Sequence, residues 1–591
     1  MALWGIEKED ELTASEQRGT HKLTAAQLLV KFLESKGVTQ LYGIPGAGIL
    51  PVYDAVIDSG RIESYNVRHE QTAIFMADGY SRTTGKVGVC AATSGPGATN
   101  FLTGLYSAYC DSVPLLALTG QVPTGLLGKD AFQEAPMVQM ARPVAKAAYL
   151  VEKAEDMPRI VKEAWRLMTT GRKGPVLLDL PLDVQKGLVD VNLDEFLAPD
   201  EPEVLPQASQ EQVKQAWEMI QAAEYPVFLV GGGIVLANAA EELRELAELL
   251  QIPVVSSLMG KDCFPNDHML YAGMMGTMCQ TPLGNKTILD SDLVVNLGGR
   301  FDGRSTGAVS VFKEGRKIVH VNLDEKELGR HVTTELAIAA DIKEFIRQLT
   351  ALIRESGYQA DAKTTHKIVK LGEDRVKLAR QTEFDTFPMK PQQAIAELRK
   401  CLERDAIVTL DCGISQIWAT QLFDAYEPGT FMITGRAGTM GWGLGAAMGA
   451  KLAKPEAQSV NLLGDASLGM SLQDLATAAK HNIPVIVVVL NNSLFGLIRQ
   501  QQNLLYDRRW ISTELDYENV EMGHNRGLDF VATAKGMGVG AELVEKPEEI
   551  KEALARAFAS NRPYLIEVLV DPTAVCSVSM DGTIKGVVES V

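Results

Sequence analysis

The sequence predicts an α/β protein built from three doubly wound parallel-sheet domains, and three observations carry that prediction. The chain has 591 residues, room for three or four domains at roughly 100–200 residues each. Short apolar runs of strand length alternate with helical patterns along most of it. The alternation breaks only where prolines, acidic residues or a charged stretch collect, and strands separated by helices form parallel sheets covered on both faces.

Residues 1–20 carry Glu7, Lys8, Glu9, Asp10 and Glu11 where a signal peptide would need an apolar core, and they read as a loosely ordered arm. A first domain over 21–192 has strand-like runs at 41–44, 87–92, 115–119 and 176–180, a further strand ending near Val67, and helices over 72–82 and 157–169. Pro199, Pro202 and Pro206, set among acidic residues, mark a surface linker. A second domain over 207–356 has runs at 226–230, just before Gly231-Gly232-Gly233, and at 253–256, 293–297 and 317–321. A charged helical connection, 357–387, leads to Pro388-Met389-Lys390-Pro391. The third domain, 388–575, has runs at 406–410, 459–463, 484–490 and 564–570 and a helix over 472–480; residues 576–591 form a tail.

Composition excludes several classes of function. With 57 Lys+Arg against 75 Asp+Glu, the net charge of −18 leaves no basic excess for reading nucleic acid. No apolar run approaches the ~18 residues that span a bilayer. The seven cysteines are scattered with no C-x-x-C pair and the eight histidines form no ligand cluster, so free thiols and a cytoplasmic location are expected.

The sharpest local signal is Gly464-Asp465-Ala466-Ser467 followed, at the end of the next apolar run, by Asn491-Asn492. Strands at 459–463 and 484–490 place Asp465 and Asn492 just past the carboxyl ends of two parallel strands, where open α/β sheets bind ligands. A carboxylate and an amide oxygen suit Mg²⁺, which completes its shell with phosphate and water. Gly464 allows close backbone approach, and the N–H groups opening the next helix can take phosphate charge.

This pattern resembles the diphosphate signature of thiamine-diphosphate enzymes. Gly43-Ile44-Pro45-Gly46, Arg68-His69-Glu70-Gln71, the run from Thr93 to Asn100, and Asp130-Ala131-Phe132-Gln133-Glu134 resemble the pyrimidine-binding domain of acetolactate synthases. Gly298–Arg304 in the second domain and Gly438-Thr439-Met440-Gly441 in the third extend the likeness to the acetolactate synthase/glyoxylate carboligase group. The resemblance implies thiamine diphosphate, Mg²⁺ and a structural FAD as cofactors. It makes Glu70 the carboxylate that activates the cofactor, with Pro45, Gly46, Pro96 and Asn100 around it. It gives Gly413, Ser415, Gly438, Met440, Gly464, Ala466 and Ser467 contacts to the cofactor, Met440 holding it bent. Asp465, Asn492 and Leu494 become metal-binding positions, and Arg300, Asp324 and Asp341 flavin contacts. The glycines at 231–233 would allow close backbone approach to ligand, although such turns also occur without one.

Arg304 is assigned to the substrate carboxylate, which a guanidinium can grip bidentately; a salt bridge to Asp302 is the plain alternative. Phe132 and Gln133 match acceptor-pocket residues, and Gln121 would line the same cavity. The resemblance further implies a homodimer with active sites at the subunit interface, pairing into a dimer of dimers, and allows a regulatory small subunit.

Within the group the chain departs from both relatives. Gln501 stands where biosynthetic acetolactate synthases carry Trp, and 496–500 looks more like glyoxylate carboligase, yet that enzyme has Val where Glu70 stands. Glu70 has a chemical role and is weighted more heavily. The expected reaction is decarboxylation of pyruvate and ligation of the hydroxyethyl carbanion to a second 2-oxo acid, giving 2-acetolactate and CO₂. Glyoxylate carboligase is the alternative, and a flavin-dependent 2-oxo acid oxidase a more distant one.

Overall fold

The computed structural model describes residues 20–199, 201–360, 362–517, 527–579 and 581–588; the arm expected at the N-terminus lies outside them, Thr20 excepted. Three six-stranded sheets, parallel throughout, dominate the described fold, beside a two-stranded antiparallel pair of Thr20–Thr24 with Leu188–Asn192. The first runs, edge to edge, Glu63–Asn66, Gln40–Ile44, Gly88–Ala92, Leu115–Gln121, Val176–Pro181 and Ala147–Leu150. The third runs Phe431–Ile433, Ile407–Leu410, Ser459–Gly464, Ile486–Asn491, Tyr564–Leu569 and Gly540–Val544. If each sheet's strands are numbered in chain order, both have the order 2-1-3-4-6-5. The middle sheet differs. Its sequence of Tyr271–Met274, Val254–Ser256, Pro226–Val230, Leu293–Leu297, Lys317–Asn322 and Leu336–Ala339 is the order 3-2-1-4-5-6.

All twelve central strands coincide with apolar runs in the sequence, because a strand covered on both faces is apolar throughout. Five edge strands, Ala147–Leu150, Tyr271–Met274, Leu336–Ala339, Phe431–Ile433 and Gly540–Val544, are three to five residues long and are not read from the sequence. The expected helix at 472–480 opens as a tight turn, Leu472–Asp474, before Leu475–Lys480.

Each order reverses where a ligand crevice opens. In the first sheet that point lies between the loops after Ile44 and Ala92, in the third between those after Leu410 and Gly464, and in the middle one between Gly231–Gly233 and Gly298–Arg300. Sequence motifs occupy all three.

The first and third domains share one core. Helix Glu70–Thr84 crosses helix Trp442–Ala453 with backbone against backbone. A Cβ on Gly79 would stand 2.1 Å from the Ala446 carbonyl oxygen, and one on Gly449 would stand 2.0 Å from that of Met76. Gly445 meets Phe75 in the same way, at 2.6 Å. The middle domain docks on the third through Asp262, whose carboxylate accepts the N–H groups of Thr430 and Phe431 at 3.0 and 3.1 Å. Beyond Val570 the chain returns to the middle domain: the Ser579 N–H reaches the Thr277 carbonyl, and Ile584 is buried in that domain's core. Among the described residues no helix is long and apolar enough to cross a membrane.

The helix crossing generates a test. Gly79→Ala forces a methyl into a carbonyl oxygen and is expected to cost about 1–3 kcal/mol in denaturant unfolding. Gly372→Ala, in helix Ala362–Lys377 where nothing lies within 4 Å of the new methyl, should instead stabilise by about 0.5–1 kcal/mol through helix propensity.

Candidate active site

A small, half-open cavity of about 60 Å³ lies at the switch point of the third sheet, walled entirely by residues between Cys412 and Ile498. It brings together nine of the ten third-domain site residues named from the sequence: Gly413, Ser415 and Met440, the Gly464–Ser467 run, Asn492 and Leu494; Gly438 is not among its walls. Walls that the sequence reading did not name as site residues include Cys412 and Trp418. A Cys and a buried Trp read as core residues, and only their position beside the glycine turn marks them.

The glycines here face open space. At Gly413 (φ +152°) the only atom within 4 Å of a built Cβ is Ser415 Oγ at 3.7 Å, and at Gly438 (φ +60°) it is Cys412 Sγ at 3.5 Å. A side chain at either position would enter the space a ligand needs. Asp465 opens the short helix Asp465–Leu468 directly after strand Ser459–Gly464, and its carboxyl is buried. Burial pushes it up to about 7, and nearby Glu567 adds to the rise, against the N–H groups of Ala466, Asp465 itself and Ser493. A hard cation at this position would offset both effects. Asn492 Oδ1 accepts the Leu494 N–H at 3.2 Å, so the strand-end loop is folded by its own side chain. Among the described residues no cluster of three His, Cys, Asp or Glu side chains could hold a metal. A metal at Asp465 would therefore rely on amide and peptide oxygens, a donor set that fits Mg²⁺ and not Zn²⁺.

The first domain assembles a second cluster at its own switch point. Glu70 is the first residue of helix Glu70–Thr84, capped by His69, whose Nδ1 accepts the Gln71 N–H at 3.2 Å. The Asn100 amide donates to Glu70 Oε2 at 2.9 Å, while Oε1 lies 3.2 Å from where a Cβ on Gly97 would be. A Cβ on Gly46 would stand 2.6 Å from that of Thr93, Pro96 begins the turn Pro96–Thr99, and Gln133 packs on Gly95. Glu70, Gly46, Pro96, Asn100 and Gln133 are thus neighbours. Pro45 lies beside them on the wall of a broad groove with Tyr53 and Gln185. Phe132 is 88% exposed.

The two clusters do not meet within one chain. No first-domain residue walls the third-domain cavity. Helix Glu70–Thr84 meets Trp442, two residues beyond Met440, through Arg82, whose guanidinium lies 5.1 Å from the indole; that is about 18 Å along the axis from Glu70 at 1.5 Å per residue.

Residues 23–141, 213–349 and 411–568 match, respectively, the N-terminal TPP binding domain, the central domain and the C-terminal TPP binding domain of thiamine pyrophosphate enzymes. The chain is 38% identical to the probable acetolactate synthase large subunit of Methanocaldococcus jannaschii over 96% of either chain. It is equally similar, 38% over 96% of each, to the glyoxylate carboligase of Escherichia coli O157:H7. The acetolactate synthase large subunit of Haemophilus influenzae follows at 36%, over 93% of this chain and 95% of its own. The chain belongs to the thiamine-pyrophosphate-dependent acetolactate synthase family. It is an enzyme, and its first and third domains are the thiamine-diphosphate-binding ones.

In this family member the remaining candidates divide. Gln121 lines neither of the two pockets described above. It is buried, its Nε2 donates to the Ala135 carbonyl at 2.7 Å and to Asp179 Oδ2 at 3.0 Å, and its Oε1 accepts the Val122 N–H at 2.9 Å. These bonds make Gln121 hold the chain just after Phe132 and Gln133. Arg304 is exposed and directs its guanidinium towards Cys279 Sγ (3.8 Å), with the cavity residue Cys412 close enough to feel its charge. The alternative of a salt bridge to Asp302 is not realised: that carboxylate accepts the backbone N–H groups of Arg304 and Ser305 at 3.0 and 2.9 Å. No described carboxylate pairs with Arg304.

In the middle domain Arg300, Asp324 and Asp341 follow three adjacent strands. Arg300 Nη2 donates to the Cys110 carbonyl at 2.7 Å, while buried Nη1 has no described partner. Asp324 pairs with Arg172 at 3.4 Å and caps the turn Glu325–Glu327; Asp341 caps helix Ile342–Glu355. Gly231 and Gly233 are accounted for without a ligand. A Cβ on Gly231 would meet Gly299 Cα at 2.4 Å, and one on Gly233 would meet the Gly298 carbonyl oxygen at 2.6 Å.

Gln121→Leu would leave Asp179 and the Ala135 carbonyl each short of a donor. It is expected to cost about 1–3 kcal/mol, read as a lower urea midpoint with an unchanged slope.

Proposed function

We propose that this enzyme converts two molecules of pyruvate, with uptake of one proton, into 2-acetolactate and CO₂. The observation that carries the reading is Glu70: a carboxylate at the first-domain crevice, oriented by Asn100. When bound, thiamine diphosphate supplies an electron sink for the negative charge left on the substrate's carbonyl carbon as CO₂ departs. Glu70 Oε1 would share a proton with a pyrimidine nitrogen, its partner oxygen being held by Asn100. Asp465, the Asn492 side chain and the Leu494 carbonyl would hold Mg²⁺, and Ser415, Ala466 and Ser467 the diphosphate. Arg304, without a carboxylate of its own, would neutralise the 2-oxo acid.

Since Glu70 and the cavity stand apart in one chain, two copies would complete each site. Exposed Phe132, with Gln133, then supplies the acceptor wall of the other copy's cavity. A dimer of dimers and a regulatory small subunit are compatible with this arrangement, the latter because several relatives are themselves large subunits. The middle sheet's 3-2-1-4-5-6 order is that of dinucleotide-binding folds. Together with the unsatisfied Arg300 Nη1 it supports a bound FAD, held as a structural group.

Glyoxylate carboligase is the second reading, favoured by a relative of that name at equal identity and by Gln501 at the family's Trp position. Product identification after separate incubations with pyruvate and glyoxylate, each with thiamine diphosphate, Mg²⁺ and FAD, decides between them. Acetolactate at the higher kcat/KM supports the first reading; dominant tartronate semialdehyde replaces it with the second. Glu70→Gln is expected to lower turnover by about 10²–10⁴-fold with cofactor affinity nearly unchanged, and near-normal pyruvate turnover would remove Glu70 from the mechanism. Asp465→Ala should raise the Mg²⁺ concentration needed for half-maximal activity at least ~10-fold; an unchanged requirement counts against the metal assignment.

A further inference from the structure

The loop from Thr434 to Gly441 carries Gly438 and Met440 yet leaves the sheet at an edge strand, Phe431–Ile433, where its own domain restrains it least. Within the third domain its polar ties include Thr439 N–H to Thr434 Oγ1 at 3.0 Å, Cys412 N–H to the Thr439 carbonyl at 3.4 Å, and Gly441 N–H to the Asp411 carboxylate. Three more ties come from the first domain. Arg82 Nη1 donates to the Ile433 carbonyl at 3.2 Å, Asp111 Oδ2 accepts the Gly435 N–H at 3.1 Å, and the Ser107 and Thr439 hydroxyls share a hydrogen bond at 2.5 Å. Arg82 and Asp111 are themselves paired at 3.0 Å, and Arg82 also bonds Asp78. The middle domain closes the remaining side, Met259 Sδ lying 2.5 Å from where a Cβ on Gly435 would stand.

Stability alone does not explain this network. Two carboxylates are buried here beside the largely covered Arg82 guanidinium, and Asp111 Oδ1 has no described partner. Buried charge of this kind costs more in desolvation than well-packed apolar groups would. What it supplies is direction, because Asp111 Oδ2 fixes Arg82 and Gly435 through one atom and Arg82 fixes Ile433.

We propose that Asp111, acting with Arg82 and Ser107, is a positioning residue of the active site, fastening the loop 434–441 from the neighbouring domain so that Gly438 and Met440 present one geometry to the cofactor. The inference rests on the reading of Gly438 and Met440 as cofactor-holding residues. Helix Glu70–Thr84 then serves two purposes, with Glu70 at one end and the loop clamp at the other.

The test compares Asp111→Asn, Ser107→Ala and Met440→Ala with the parent enzyme. It reads thiamine diphosphate affinity in the presence of Mg²⁺ by tryptophan quenching (Trp418 walls the cavity), the near-ultraviolet circular dichroism of the bound cofactor, and steady-state kinetics. For Asp111→Asn the expectation is about a tenfold weaker Kd, the scale of one charge-assisted hydrogen bond. Its cofactor dichroism should change and kcat should fall ~10–100-fold, while the KM for pyruvate moves less than about twofold. Ser107→Ala should show the same pattern more weakly, and it decides the matter if Asp111→Asn does not fold. A folded Asp111→Asn or, failing that, Ser107→Ala with parental Kd, dichroism and kcat, alongside a perturbed Met440→Ala, overturns the positioning role alone. Parental cofactor binding and dichroism in Met440→Ala would overturn the underlying reading of the loop.

Discussion

Two helices that start at functional motifs, Glu70–Thr84 and Trp442–Ala453, touch backbone to backbone, and the placement of the site depends on that contact. Gly79, Gly445 and Gly449 permit it, since any side chain there would strike a carbonyl oxygen or a neighbouring Cβ. The close approach joins two sheets of identical order into one core. Glu70 and the cavity walls are carried by different domains of that core, and no first-domain residue walls the cavity.

Around that core, buried carboxylates fasten the loops at strand ends. Asp262 holds Thr430 and Phe431, Asp411 holds the Gly443 N–H at the start of helix Trp442–Ala453, and Asp179 holds Thr119 and Gln121. Burial raises all three, Asp262 and Asp411 to about 6 and Asp179 to about 7. A carboxyl raised on folding favours the folded state most below its unfolded value near 4 and loses that contribution as pH rises through its folded value. At neutral pH these residues are net costs to stability. What the cost secures is fixed hydrogen-bond donors at strand ends, backbone N–H groups for Asp262 and Asp411 and side chains for Asp179.

Much of this was legible in the residues. The central strands announce themselves because double-sided burial demands unbroken apolar runs, whereas a short edge strand such as Gly540–Val544, with Gly540 and Glu542, does not. The G-D-A-S to N-N spacing located the cavity because two strand ends must bring Asp465 and Asn492 together. Other residue types left two tasks open. The glycines at 231–233 could have approached a ligand, and Gly231 and Gly233 make room for Gly298 and Gly299. The Gln121 amide bonds Asp179, Ala135 and Val122. Asp302, immediately ahead of a helical turn, caps its N–H groups and leaves Arg304 unpaired by it. In each case a residue type suits two tasks, and only its neighbours choose between them.

The sequence by itself determined three parallel-sheet domains, the family, and the residues at the third sheet's ligand crevice, because strand periodicity and strand-end motifs are local and survive without knowledge of packing. Tertiary structure alone decided that the middle sheet has a different strand order from its neighbours. It alone separated Glu70 from the cavity of its own chain, and it tied the Met440 loop to Arg82 and Asp111, more than 300 positions away. Those facts rest on contacts between segments remote in the chain, and no periodicity or spacing encodes which remote segments will touch.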